Sequence, residues 1–246
     1  MGSLTGKRAF VTGAGGGIGA AIARMFAAEG AVVALGDING PLVTEAASSI
    51  AGAQAMVVDV ADRQALSAAI DDFAGDGLDI LVNNAVVFHY LPLTDMPEDS
   101  VDRLVDVGLK GTIWGMQAAV PHLTRRGGGV IINLSSMAVS IAVRHTAVYT
   151  AVKGAIDALT RQQAVELGGL GIRVNALAPG TVPTPATSSR LDAAGWEVRR
   201  ARSPIGRVVM DTDIAAAATF LASGDGASIT GITLKVDGAV TVAGPR

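Results

Sequence analysis

The sequence predicts a doubly wound α/β fold: one parallel sheet flanked by helices. Three observations predict it. Short runs rich in β-branched residues recur along the chain, Ala-rich stretches with helical spacing separate most of them, and the runs are apolar on both faces, as in a sheet covered on both sides. The strands are expected at Arg8 to Thr12, Ala31 to Asp37, Gln54 to Asp59, Leu78 to Asn83, Gly129 to Ser135, Gly171 to Leu177 and Gly231 to Asp237. With 246 residues, no internal repeat and no Pro/Gly/Ser linker, the chain is expected to form a single domain over residues 1–246.

Composition narrows the function classes. Half of the residues are hydrophobic and 17% are charged, enough to bury a large core and too apolar for a disordered chain. The chain has no cysteine and three scattered histidines, so neither thiolate chemistry nor a metal site is expected. A net charge of −3, with no basic run longer than Arg125-Arg126 or Arg199-Arg200, gives no footprint for nucleic acid. No apolar run is long enough to span a membrane and no basic leader with a cleavage site is visible, so a cytoplasmic protein acting on a small molecule is expected.

The first strand runs directly into Thr12-Gly13-Ala14-Gly15-Gly16-Gly17-Ile18-Gly19, and the following residues to Glu29 are strongly helical. Glycines permit a tight turn and close backbone approach, while free amides at a helix start attract a pyrophosphate. Asp37 ends the second strand 18 residues after Gly19, with Ile38 next. A carboxylate there accepts hydrogen bonds from ribose hydroxyls and repels a 2′-phosphate, which favours NAD over NADP. No Lys or Arg stands in the turn or directly after Asp37 to reverse that preference.

The spacing TGxxxGxG, together with Asn83-Asn84-Ala85, a serine, a YxxxK pair and Pro179-Gly180, is similar to the short-chain dehydrogenase/reductase family over essentially the whole chain. The resemblance implies a Rossmann-type sheet of seven parallel strands, a dimer or homotetramer, and hydride transfer between NAD and a small secondary alcohol or ketone. By the same resemblance, Gly13, Gly17 and Gly19 are the turn glycines, with Ile18 among them. Asp59 and Val60 hold the adenine, and Asn83 steadies the central strands beside Ala85. Pro179, Gly180, Val182 and Thr184 meet the nicotinamide carboxamide, and Ser136, Tyr149 and Lys153 are the catalytic serine, tyrosine and lysine.

Tyr149 and Lys153 also make chemical sense by themselves, because residues four apart project from one side of a helix. A tyrosine with its ordinary pKa near 10 is a poor base at neutral pH, and a nearby ammonium is expected to lower that value. Ser136, at a strand end facing the ligand crevice, can hold the substrate oxygen.

Three positions depart from the family pattern: Gly108 where an asparagine is common in a long helix expected over Glu98 to Arg126, and Val86 and Val139 where glycine is usual. The missing asparagine side chain is expected to leave a relay that works through the Gly108 carbonyl but is less firmly ordered. The substrate pocket is expected within Val86 to Tyr90, Met137 to Thr146 and Thr181 to Arg207, the last a mobile lid loop with a short helix. Within these segments Val87, His89, Met137, Val139, His145 and Trp196 are the expected lining residues, suited to a hydrophobic or cyclic substrate. Two rival readings stay open: a non-catalytic NAD(H)-binding sensor or interaction protein, and an epimerase or dehydratase on the same fold.

Overall fold

The computed structural model describes residues 2–244. Seven strands, β1 (Arg8–Thr12), β2 (Val32–Asp37), β3 (Gln54–Val57), β4 (Ile80–Asn83), β5 (Gly129–Leu134), β6 (Ile172–Pro179) and β7 (Thr233–Val236), form one sheet in the order β3-β2-β1-β4-β5-β6-β7. Every neighbouring pair is parallel. Each strand lies where the β-branched runs predict it, with ends differing by one or two residues.

Two apolar layers cover the sheet. Side chains that alternate along the strands divide between them: Ala9, Val11, Leu35, Val82 and Ile132 enter one layer, and Phe10, Ala34, Leu81 and Ile131 the other. The first layer closes under α1 (Gly17–Ala28), α2 (Gly40–Ser48) and α9 (Asp211–Ala222) through Ile22, Phe26, Val43 and Leu221. The second closes under α3 (Arg63–Ala74), α5 (Gly111–Arg125) and α6 (Ala147–Gly168) through Ile70, Phe73, Leu123 and Leu167. The expectation that every strand is covered on both faces fails at the sheet edge. Gln54, Ala55 and Val57 of β3 are exposed, Val57 by 66%, because an edge strand has one neighbour and the helices sit over the sheet centre.

The long helix expected over Glu98 to Arg126 is divided. α4 (Glu98–Val105) passes into a π turn at Asp106–Lys110 before α5 begins, the Gly111 N–H donating to the Asp106 carbonyl. Thr181 to Pro204 is also more ordered than the expected lid loop with one short helix, for it holds two, α7 (Pro185–Ser188) and α8 (Ala193–Arg202). Both helices are capped. Thr184 and Thr187 each accept from the other's backbone N–H, and Asp192 Oδ1 accepts from Gly195 N at 2.7 Å. Among the described residues no helix is long and apolar enough to cross a membrane.

Candidate active site

Sheet order places the site. From β1 the chain winds to β2 and β3 on one side, then returns past β1 to β4, so a crevice opens beyond the carboxyl ends of β1 and β4. The glycine turn lies there. Gly13 has φ +62°, and a Cβ on it would stand 2.7 Å from Ala85 Cα, so a side chain would break the contact between this turn and the end of β4. Asn84 locks the same contact: its Nδ2 donates to the carbonyls of Thr12 at 3.0 Å and Gly13 at 2.8 Å. Thr12 Oγ1 accepts from the backbone N–H groups of Asn84 and Ala85. Sequence reasoning passed over Thr12 and Asn84 as binding residues because they hold the cradle rather than a ligand.

The cradle fits a dinucleotide phosphate. No side chain caps the start of α1, so the amides of its first turn, including Gly17 and Ile18, face the crevice without one. Gly19 packs against the Gly13 carbonyl so closely that a Cβ would collide with it. Asp37 stands beside the turn: Oδ2 accepts from Gly15 N and Oδ1 from Asn39 N, both at 2.9 Å, and Ile38 next to it is 60% exposed. Asp59 is engaged at both oxygens, by Ala61 N at 3.0 Å and by Arg103 Nη1 at 2.9 Å, and Val60 is buried against Gly111. Asn83 lies buried between β4 and β5, its Nδ2 donating to Asn133 Oδ1 at 2.9 Å, and Asn133 in turn donates to Thr160 on α6.

Beyond the turn is a cavity of about 360 Å³ bordered by Ser136, Tyr149 and Lys153, and also by Ile18, Pro179, Gly180, Val182 and Thr184. The residues expected to act and those expected to meet the nicotinamide thus share one space. Tyr149 and Lys153 stand one turn apart on α6, and Lys153 Nζ is 5.9 Å from the Tyr149 ring centre. Ser136 caps the turn after β5 by accepting from Ala138 N, and it borders the cavity together with Tyr149.

Burial controls the protonation of the pair. It raises the Tyr149 pKa above the ordinary value, against the smaller opposing effect of the Ser136 hydrogen bond. In the cofactor-free protein this desolvation outweighs the lowering expected from the ammonium of Lys153. Lys153 Nζ donates to the Leu134 carbonyl at 2.5 Å, and burial brings its own pKa down to about 8 despite Asp157 nearby. The lysine is held toward the strand end, and desolvation of the phenol dominates.

The substrate side of the cavity differs from the expected lining. Of the six expected residues only Met137 borders it. In the extended segment after β4 the side chains alternate: Val86, Phe88 and Tyr90 border the cavity, whereas Val87 also packs on the core over the sheet and His89 is exposed and hydrogen-bonded to Ser100. His145 is exposed at a positive φ of 64°, and Val139 and Trp196 also lie off the cavity. Val143, Arg190, Leu191 and Arg199 border it instead. Phe88 and Tyr90 flank Tyr149 with ring centres 5.6 and 5.8 Å from it, and the Arg190 guanidinium lies over both rings. Period-two alternation from Val86, itself a departure from the family pattern, was the signal available in the sequence.

Gly108 lies in the π turn, buried, with its carbonyl accepting from Thr112 Oγ1 at 2.8 Å. A Cβ at this position would stand 2.6 Å from Val152 Cγ1. Val152, just before Lys153 on α6, takes the space that a side chain at 108 would use. The segment is therefore tightly packed rather than loosened.

Residues 13–241 match the family model described as enoyl-(acyl carrier protein) reductase. The chain is 36% identical over 245 residues to D-threitol dehydrogenase of Mycolicibacterium smegmatis, covering 97% of this chain and 94% of that protein. It is 40% identical over 250 residues to 3β-hydroxysteroid dehydrogenase 1 of Eggerthella lenta, covering 97% and 95%. Among solved structures, a 7α-hydroxysteroid dehydrogenase complexed with NADH and 7-oxo glycochenodeoxycholic acid matches with a TM-score of 0.92 at 35% identity, covering 96% of this chain and 94% of that one.

Proposed function

This chain belongs to the short-chain dehydrogenase/reductase family, and from that premise we propose that it is an NAD(H)-linked oxidoreductase of a hydrophobic or cyclic secondary alcohol and its ketone. The carrying observation is the shared cavity. Ser136, Tyr149 and Lys153 border it with Ile18, Pro179, Gly180, Val182 and Thr184, so a reacting carbon and a nicotinamide ring have one place to meet.

Ser136 Oγ holds the alcohol or carbonyl oxygen, and the Tyr149 hydroxyl carries the proton to or from it. With its pKa raised by burial, the phenol keeps its proton at neutral pH and is ready to give it to a ketone oxygen. To take a proton from an alcohol, it needs positive charge close by. Lowering a pKa by two units asks for about 3 kcal/mol, within the reach of close cations in a site shielded from water. A bound nicotinamide supplies the hydride position and, when oxidised, one such charge. Lys153, on the same face of α6, supplies another and a donor for ribose hydroxyls.

Asp37 supports NAD over NADP. Its carboxylate stands at the mouth of the glycine turn, where a 2′-phosphate would meet a like charge. The polyol and hydroxysteroid named for the similar enzymes bracket the substrate choice, and the apolar side chains of Val86, Phe88, Met137, Val143 and Leu191 favour the cyclic, hydrophobic end. The exposed Ala151, Ala158 and Val165 along α6 leave a smooth apolar strip suited to a second copy, which supports a homo-oligomer.

The test is a spectrophotometric panel of secondary alcohols with NAD and of ketones with NADH, run on wild-type protein and on Tyr149→Phe. Steady NADH formation that falls at least about a hundredfold in the variant, with NADH binding unchanged, is expected. Wild-type turnover in Tyr149→Phe would overturn the assignment of the proton donor. Binding of NADH with no turnover across the panel would favour a sensor.

A further inference from the structure

The reading of the site as a dehydrogenase pocket leaves one feature unused: the charge at its far end. Besides Lys153, the catalytic cavity is bordered by two cations, Arg190 and Arg199, and by no Asp or Glu. A second cavity, about 390 Å³, adjoins it and shares Met137, Val143, Thr181 and Arg199 as common wall. Its remaining wall is apolar at Ile141, Val198, Val208, Val209 and Val240, and cationic at Arg144 and Arg202. One carboxylate borders it, Asp237, which is buried and spends its oxygens on Ala239 N and Thr241 N in its own turn.

Arg199 is the hinge of this arrangement. It rises from α8 between the two cavities, is half-buried, and donates from Nη1 to the Gly195 carbonyl at 3.1 Å, a bond that steadies the side chain without neutralising it. Arg202, one turn further on, borders the second cavity from the same helix. The acidic residue of α8, Glu197, pairs with Arg200 at 3.1 Å and not with Arg199. A guanidinium without a carboxylate partner among the described residues, at the end of an apolar cavity, is suited to a two-point grip on a planar anion.

We propose that the substrate is an apolar secondary alcohol or ketone bearing a carboxylate, and that Arg199 binds the carboxylate where the two cavities meet. Arg202 and Arg144 add positive potential behind it. The oxygen that reacts lies at Ser136 and Tyr149, the hydrocarbon body runs along Val86, Phe88, Met137 and Val143, and the anionic end reaches α8. The arrangement sets specificity by charge at one end and apolar fit along the body, since neutral analogues leave the guanidinium desolvated and unpaired.

The test compares oxo acids of two lengths, 4-oxocyclohexanecarboxylate and 4-(4-oxocyclohexyl)butanoate, with their methyl esters and with cyclohexanone, by NADH oxidation. In wild-type protein, kcat/KM for at least one acid is expected to exceed that for its ester by about tenfold or more, and Arg199→Gln to bring the acid-to-ester ratio near one. Arg200→Gln, on the same helix but paired with Glu197, is expected to leave the ratio unchanged. Titration of cyclohexanecarboxylate and of its uncharged amide into the NADH complex gives a second readout, with the acid expected to bind more tightly and Arg199→Gln to remove the difference. Esters or cyclohexanone turned over as well as the acids, or a ratio unmoved by Arg199→Gln, would overturn the carboxylate proposal while the dehydrogenase reading stands. Equal binding of acid and amide, with none of these compounds turned over, would likewise overturn the carboxylate proposal, whereas the dehydrogenase reading is decided by the wider panel of alcohols and ketones.

Discussion

Replacing Lys153 by methionine tests how the buried ammonium is held. The side chain is 3% exposed, donates to the Leu134 carbonyl, and has its pKa brought down by burial from 10.5 to about 8, Asp157 only partly opposing. The folded chain therefore binds this proton more weakly than the unfolded chain does. For a group with a depressed folded pKa, the stabilising share is complete above the unfolded value near 10.5 and is lost as pH falls through the folded value near 8. At pH 7 the ammonium then costs about 3 kcal/mol, and at about pH 9.5 the cost shrinks to about 1 kcal/mol. Methionine keeps an unbranched stem without the charge, and gives up a hydrogen bond worth about 1 kcal/mol. Lys153→Met is expected to stabilise the cofactor-free fold by about 2 kcal/mol at pH 7 and by roughly nothing at about pH 9.5, while turnover is lost. Urea unfolding followed by the fluorescence of Trp114 and Trp196 at both pH values measures the difference. An advantage that is the same at both, or a loss at pH 7, would refute the depressed pKa.

Gly108→Asn is expected to destabilise the fold by about 1–3 kcal/mol and to lower activity, because the new Cβ meets Val152 Cγ1 at 2.6 Å. Adding Val152→Ala should recover most of both, and a single variant as stable and active as wild type would show that the π turn adapts. NAD(H) is expected to bind at least about tenfold more tightly than NADP(H). Asp37→Ala should narrow that gap in direct titrations, and equal affinities in the wild type would remove the basis for the preference. A homo-oligomer is expected in sedimentation at micromolar concentration, shifted toward monomer by Val165→Asp, since Val165 is 81% exposed on the outer face of α6. A wild-type monomer would rule that out.

The strands, the glycine turn and the Ser136, Tyr149 and Lys153 set were legible in the sequence because each rests on local chemistry: alternation along a strand, backbone freedom at a turn, and one helical turn between tyrosine and lysine. Even some missed order was local. The caps of α7 and α8 stand in the sequence as Thr184 with Thr187 and as Asp192, yet the prolines and polar residues around them suggested a loop with a single short helix. Other features depended on distant segments meeting. That β3 is a bare edge follows from sheet order, and that Tyr149 is pushed upward follows from desolvation by residues far away in the chain. The same holds for Val152 filling the place beside Gly108 and for Arg199 joining two cavities. The sequence by itself determined the fold class and pointed to the proposed reacting groups, through short-range periodicity and residue chemistry. Only the tertiary structure decided which side chains share a cavity and what charge they feel, because packing and solvent exclusion are properties of residues far apart in sequence that the sheet brings together.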